Sequence, residues 1–166
     1  HTTQKTMKQT LESDVSFGPG EYEISDKGRH ALDAYCEAVI AGKTEFDKLY
    51  PDRTILIKIK VVGYTDQVDF IEGTNLLKQL IEGVEDEIPQ TEPAQRQFLN
   101  QRLSELRAEI LSDYIVKYIS RRNLEGRIEQ EAIGLGEELP PDISSPYPQQ
   151  DSRRRICKIY TYVLVR

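Results

Sequence analysis

Side chains that carry out covalent chemistry stand at no useful spacing in this sequence. Its two cysteines, Cys36 and Cys157, lack metal-site spacing, and two are too few to staple a fold. His30 lies six residues before Cys36 in one amphipathic run, off its helix face, so a Cys–His nucleophile pair is not expected there. No serine elbow, phosphate-binding loop or zinc motif is present. The carboxylates at Asp66 and Asp69 and across Glu85–Glu87 lack calcium-loop spacing. Neither a catalytic set, a metal site nor a cofactor is therefore expected.

What remains is recognition chemistry. Gly63-Tyr64-Thr65-Asp66 ends one run of residues, and Asn100-Gln101-Arg102-Leu103-Ser104-Glu105-Leu106-Arg107-Ala108 lies in another. A guanidinium meets a carboxylate through two parallel hydrogen bonds that a lysine cannot reproduce. An aspartate at a strand end is short and well positioned. Arg107 stands seven residues, about two helical turns, after Asn100, which puts both near one helix face. The side chains of Asn100 and Thr65 can each donate and accept hydrogen bonds, and Gly18, beside Phe17, adds no side chain of its own. The plain alternatives are that Asp66 and Arg107 pair only with each other, which contributes little at an exposed site, and that Asn100 is a cap.

The elements that must position these residues follow from periodicity. Residues 1–13 are polar and read as a linker or frayed helix. Val15 and Phe17 suggest a short strand, broken at Gly18-Pro19-Gly20. Ser25 is the expected N-cap of a helix bearing Leu32, Tyr35, Cys36 and Val39 on one face, with Gly42 as its stop. Ile55, Ile57, Ile59 and Val61 alternate with Leu56, Lys58 and Lys60, a strand pattern of β-branched residues. Leu76, Leu77, Leu80, Ile81 and Val84 fit a short amphipathic helix, and 85–93 an acidic exposed loop. A long helix is expected over 95–120, with a stripe of Leu99, Leu103, Leu106, Ile110 and Tyr114, widened by Leu111, Ile115 and Tyr118. Strands over 127–135 and 154–165 close the domain, separated by a proline-rich loop over 137–150. This order predicts helices packed on one sheet.

Composition bounds the partners. At 30% charged and 38% hydrophobic residues, the chain of 166 residues reads as one ordinary globular domain. Its longest apolar runs, Ile55–Val62 and Ile156–Val165, are interrupted by Lys or Tyr, short of the roughly 18 residues of a membrane span. With 22 basic and 28 acidic side chains the net charge is −6, which argues against nucleic acid as a partner. The cysteines read as buried thiols, with a disulfide open in an oxidising compartment. The Arg153-Arg154-Arg155 run reads as a solvated strand start.

The motifs resemble the OmpA-like peptidoglycan-binding family. A strand ending in Gly63-Tyr64-Thr65-Asp66 matches its Gly-[His/Tyr]-Thr-Asp, and Asn100 through Ala108 is similar to its Asn-x-x-Leu-Ser-x-x-Arg-Ala. Gly134-Leu135-Gly136-Glu137 with Pro140 resembles its Gly-x-Gly-Glu-x-x-Pro, Arg154-Arg155-Ile156 its closing Arg-Arg-Val, and Phe17 through Gly28 its first strand and helix start. The resemblance covers about residues 14–165. It implies an α/β (α+β sandwich) fold of order βαβαββ, with helices on one mixed four-stranded sheet. Asp66 and Asn100 are 34 positions apart, so 67–93 reads as a helical insertion beside the site, within a domain spanning 14–166. Asp69 stands where the family often has glycine.

The resemblance also implies a role. The family's ligand is the stem peptide of peptidoglycan, whose diaminopimelate carries an ammonium and a carboxylate. It assigns Asp66 to the ammonium and Arg107 to the carboxylate, with Asn100, Thr65 and Gly18 as further contacts. Wall binding without catalysis in the periplasm, anchorage through an upstream membrane segment, and an open homodimer option follow. The alternative is an envelope protein-interaction domain that keeps the fold but has lost wall binding.

Overall fold

The computed structural model describes residues 8–18, 21–67, 75–122, 126–141 and 152–165. Four strands form one sheet: β1 (Lys8–Ser16), β2 (Ile55–Gly63), β3 (Arg127–Gly134) and β4 (Ile156–Val165). The sheet order is β1-β4-β2-β3, with β4 antiparallel to β1 and β2, and β3 parallel to β2. The sheet is mixed and the fold is α+β, in the predicted element order. The first and second strands are not neighbours, because β4 lies between them.

Helices α1 (Asp26–Leu49) and α3 (Ala94–Ser120) cover one face of the sheet. Side chains alternate across a strand, so Ile57, Ile59 and Val61 of β2 and Cys157 and Ile159 of β4 meet Leu32, Cys36, Val39, Ala108, Leu111, Ile115 and Ile119. The core is tied by Tyr35, whose hydroxyl donates to Thr161 Oγ1 (2.6 Å) or Leu11 O (3.0 Å). On the opposite face, Lys60, Val62, Tyr64, Ile133, Leu135, Tyr160 and Tyr162 line an open concavity of about 410 Å³.

Three expectations change. Strand β1 begins at Lys8, inside the segment expected to be a linker or frayed helix. Its inward positions alternate correctly but include Gln9 and Ser13 beside Leu11 and Val15, so pairing along the whole of β4 supplies what hydrophobic pattern lacks. Helix α1 does not stop at Gly42 but continues to Leu49. Gly42 is buried instead against the side chain of Gln9, where a Cβ would collide with Gln9 Oε1. In α3 the fully buried aliphatics are Ala108, Leu111, Ile115 and Ile119, while Leu106, Ile110 and Tyr114 lie at the seam's margin.

Ser25 caps α1 as expected, its hydroxyl accepting from Gly28 N (3.0 Å). Between β2 and α3 the described residues form α2 (Asn75–Ile81) and a short 3-10 turn over Glu85–Glu87. Leu76 and Leu80 are buried against Leu99 and Leu103, with Leu77 and Ile81 partly covered, forming a cluster of their own beside the main core.

Candidate functional site

The site is built where β2 ends. Past Gly63 the backbone stays pinned: Tyr64 N donates to Ile156 O (2.9 Å), and Thr65 N donates to Gly136 O (2.8 Å). These bonds carry backbone pairing past β2 as far as Thr65, the residue before Asp66.

Helix α3 crosses this strand end at very close range. A Cβ on Gly63 would collide with the backbone carbonyl of Ser104, and one on Gly134 would lie 2.5 Å from Glu105 N. Only glycine permits that approach on both strands. Ser104 uses it: its hydroxyl donates to Gln101 O (2.7 Å) and accepts from Gly136 N (2.9 Å). The Asn-x-x-Leu-Ser and Gly-x-Gly motifs thus dock helix to sheet, which seats Arg107 one turn further along.

Arg107 is wholly buried, at 0% exposure. Its Nε donates to Glu21 O (2.8 Å) and its Nη2 to Gly18 O (3.2 Å), and its guanidinium lies 4.8 Å from the Phe17 ring centroid. Among the described residues its Nη1 has no hydrogen-bond partner. Burial pushes its pKa down to about 10, with Cys157, Asp66 and Glu21 opposing that shift and Arg155 adding to it. At neutral pH it remains a cation.

Asp66 is also buried, at 5% exposure, but the salt bridge expected as its plain alternative does not form. Its Oδ2 accepts from Arg155 Nη1 (2.7 Å) rather than from Arg107. Arg155 also donates through Nε to Phe17 O (3.1 Å), and its own carbonyl accepts from Phe17 N (2.8 Å). Thr65 is fully buried, and its Oγ1 has no hydrogen-bond partner among the described residues. Gly18 presents its carbonyl to Arg107, while its amide donates to Glu21 Oε2 (3.3 Å).

Asn100 takes a different place. It is buried two turns inside α3, so it caps neither end, and its Nδ2 donates to Glu137 Oε2 (2.6 Å). Arg96 grips the same carboxylate through Nε (2.9 Å) and Nη2 (3.0 Å), a bidentate pair. Arg154 Nη2 donates to Glu137 O (2.7 Å). Asn100 therefore shares a helix face with Arg107 but belongs to a network around Glu137.

The structure thus brings together Gly18, Thr65, Asp66 and Arg107, and sets Asn100 beside them through Glu137. Sequence reasoning missed Arg155, Arg96 and Glu137 as parts of this assembly. The solvated reading of the arginine run is corrected: Arg154 is 3% exposed and Arg155 is only partly so. The signal was present in Arg154-Arg155-Ile156 and Gly136-Glu137, but their partners are far away in sequence. Among the described residues no group of three or more His, Cys, Asp or Glu side chains is placed to hold a metal. Asp69 lies outside the described residues, and His30 is exposed.

No family model and no curated protein matches this chain. Solved structures similar to it include the OmpA-like domain of FopA1 from Francisella tularensis, at 16% identity and a TM-score of 0.47 over 96% of this chain and 76% of that one. The periplasmic domain of Helicobacter pylori MotB is similar at 12% identity and a TM-score of 0.49, over 96% and 75%. The cell wall anchor of the type VI secretion system from Pseudomonas aeruginosa is similar at 14% and 0.45, over 95% and 87%.

Proposed function

We propose that this domain binds peptidoglycan without cleaving it, through a stem peptide bearing diaminopimelate, with Arg107 taking the ligand's carboxylate and Asp66 its ammonium. On this reading it works in the periplasm, as a tether between the wall and a membrane-embedded part of its parent protein. The observation that carries the reading is that two donors at this site, Arg107 Nη1 and Thr65 Oγ1, are buried with no hydrogen-bond partner among the described residues. A buried donor without a partner costs roughly 1–3 kcal/mol and calls for an explanation. A carboxylate and a peptide carbonyl would complete them. The ordered motifs running from Phe17 to Ile156 support the same assignment.

One observation favours a second reading. Arg107 is fully covered, and two of its nitrogens already hold the carbonyls of Gly18 and Glu21. A domain that kept the fold for protein interaction and lost wall binding would look the same. Co-sedimentation with purified sacculi separates the two. Saturable binding that a soluble stem peptide competes away supports the wall reading, and protein left in the supernatant refutes it. Release of soluble muropeptides during incubation would refute the non-catalytic part.

A further inference from the structure

Resting on the wall-binding reading, we infer that Arg155 is a positioning residue for this site, and that it sets how strongly the domain depends on the ligand's ammonium. Three chain segments converge on this one side chain. Its Nη1 holds Asp66 Oδ2 at 2.7 Å, at the end of β2, while its Nε holds Phe17 O at 3.1 Å, at the end of β1. Its own residue immediately precedes β4, and its carbonyl accepts from Phe17 N at 2.8 Å. Asp66 and Arg155 have side-chain exposures of 7% and 14%, so little water competes for the bond.

The chemistry follows from the geometry. A carboxylate has several acceptor sites on two oxygens. With Oδ2 engaged by Arg155, rotation of the Asp66 carboxylate is arrested and its remaining lone pairs keep one direction. The same guanidinium fixes the carbonyl beside Gly18, whose own carbonyl Arg107 holds. Arg155 thus keeps the acidic contact and the Phe17 backbone that flanks Arg107 in register. A recognition constellation that depends on such supporting bonds loses precision when they go, even if its contacting groups are intact. The planar fork is essential, because one lysine nitrogen cannot stand at both the Nε and the Nη1 positions.

The test compares two probes: a soluble stem peptide ending in diaminopimelate, and the same peptide acetylated on the diaminopimelate side-chain nitrogen. Each is titrated against the parent chain, Arg155→Lys, Arg155→Gln and Asp66→Asn, with melts to fix the folded fraction. In the parent, acetylation should weaken binding roughly tenfold or more, the loss of one charge-assisted bond. In both Arg155 variants that ratio should fall toward the value for Asp66→Asn, because the carboxylate is no longer aimed. A purely structural role would weaken both probes together and leave the ratio unmoved, which overturns the assignment. A ratio that rises overturns it too, since Arg155 would then compete with the ammonium. Failure of the parent to bind either probe refutes the wall-binding reading itself. Arg155→Lys keeps the charge and is the variant to read if Arg155→Gln does not fold.

Discussion

Replacing Arg107 by lysine should both weaken ligand binding and destabilise the domain. A side chain lining an open groove would show only the first effect, but Arg107 is fully buried. Its Nε and Nη2 satisfy the carbonyls of Glu21 and Gly18 at 2.8 and 3.2 Å. A lysine ammonium occupies one of these positions, so one charge-assisted bond is lost, about 1.5–3 kcal/mol. An ammonium is also more strongly hydrated than a guanidinium, and burying it adds to the cost. The sum is roughly 2–4 kcal/mol. A domain of this size shifts by about 2–4 °C per kcal/mol, so the melting temperature should fall by roughly 5–15 °C. Asp66→Asn retains an acceptor for Arg155 and should melt closer to the parent while still losing the ligand's ammonium. The assays are thermal melts of both variants, with stem-peptide titrations performed well below the lower melt. Arg107→Lys melting with the parent would refute the burial argument, and both variants binding as tightly as the parent would remove the pair from the ligand site.

Gly63→Ala should destabilise the domain by about 1–3 kcal/mol, because the added methyl meets the backbone of Ser104, which cannot swing aside; urea unfolding measures it, and an unchanged midpoint would show that α3 sits further from β2. Removing residues 67–93 should leave a folded chain, because Leu76 and Leu80 pack on Leu99 and Leu103 in a cluster beside the main core; circular dichroism checks this, and an unfolded product would make the segment part of the core. Cys36 and Cys157 are buried and free, so a thiol reagent should label them only on unfolding, and a two-hydrogen mass deficit in the non-reduced protein would contradict it. Burial pushes both thiols up from 9.0 to about 12, so the unfolded chain loses these protons first and stability should fall as pH rises through that window. The slope is up to about 1.4 kcal/mol per pH unit for each thiol. Urea midpoints between these pH values should flatten in Cys36→Ala and Cys157→Ala, and an unflattened slope would place the effect elsewhere.

Much of the architecture was legible from local signals. The β-branched alternation of β2, the Ser25 cap and the apolar stripe of α2 are each decided within a few residues, so periodicity alone locates them. The motifs at Gly63–Asp66 and Asn100–Ala108 likewise marked the two elements that meet at the site. What the sequence could not decide is what depends on distant partners. Strand β1 hides in polar residues because β4 supplies its pairing. The buried seam of α3 runs through Asn100, Ser104, Arg107 and Ser112, polar residues that pull a hydrophobicity count toward Leu106 and Ile110. Asp66 pairs with Arg155, which is 89 positions away in sequence. A charged side chain carries no local mark of which opposite charge it will meet, or of whether water will reach it. Only the close approach of α3 at Gly63 and Gly134, and the convergence of β1, β2 and β4 beside it, decided that Arg107 is enclosed and that Arg155 holds Asp66.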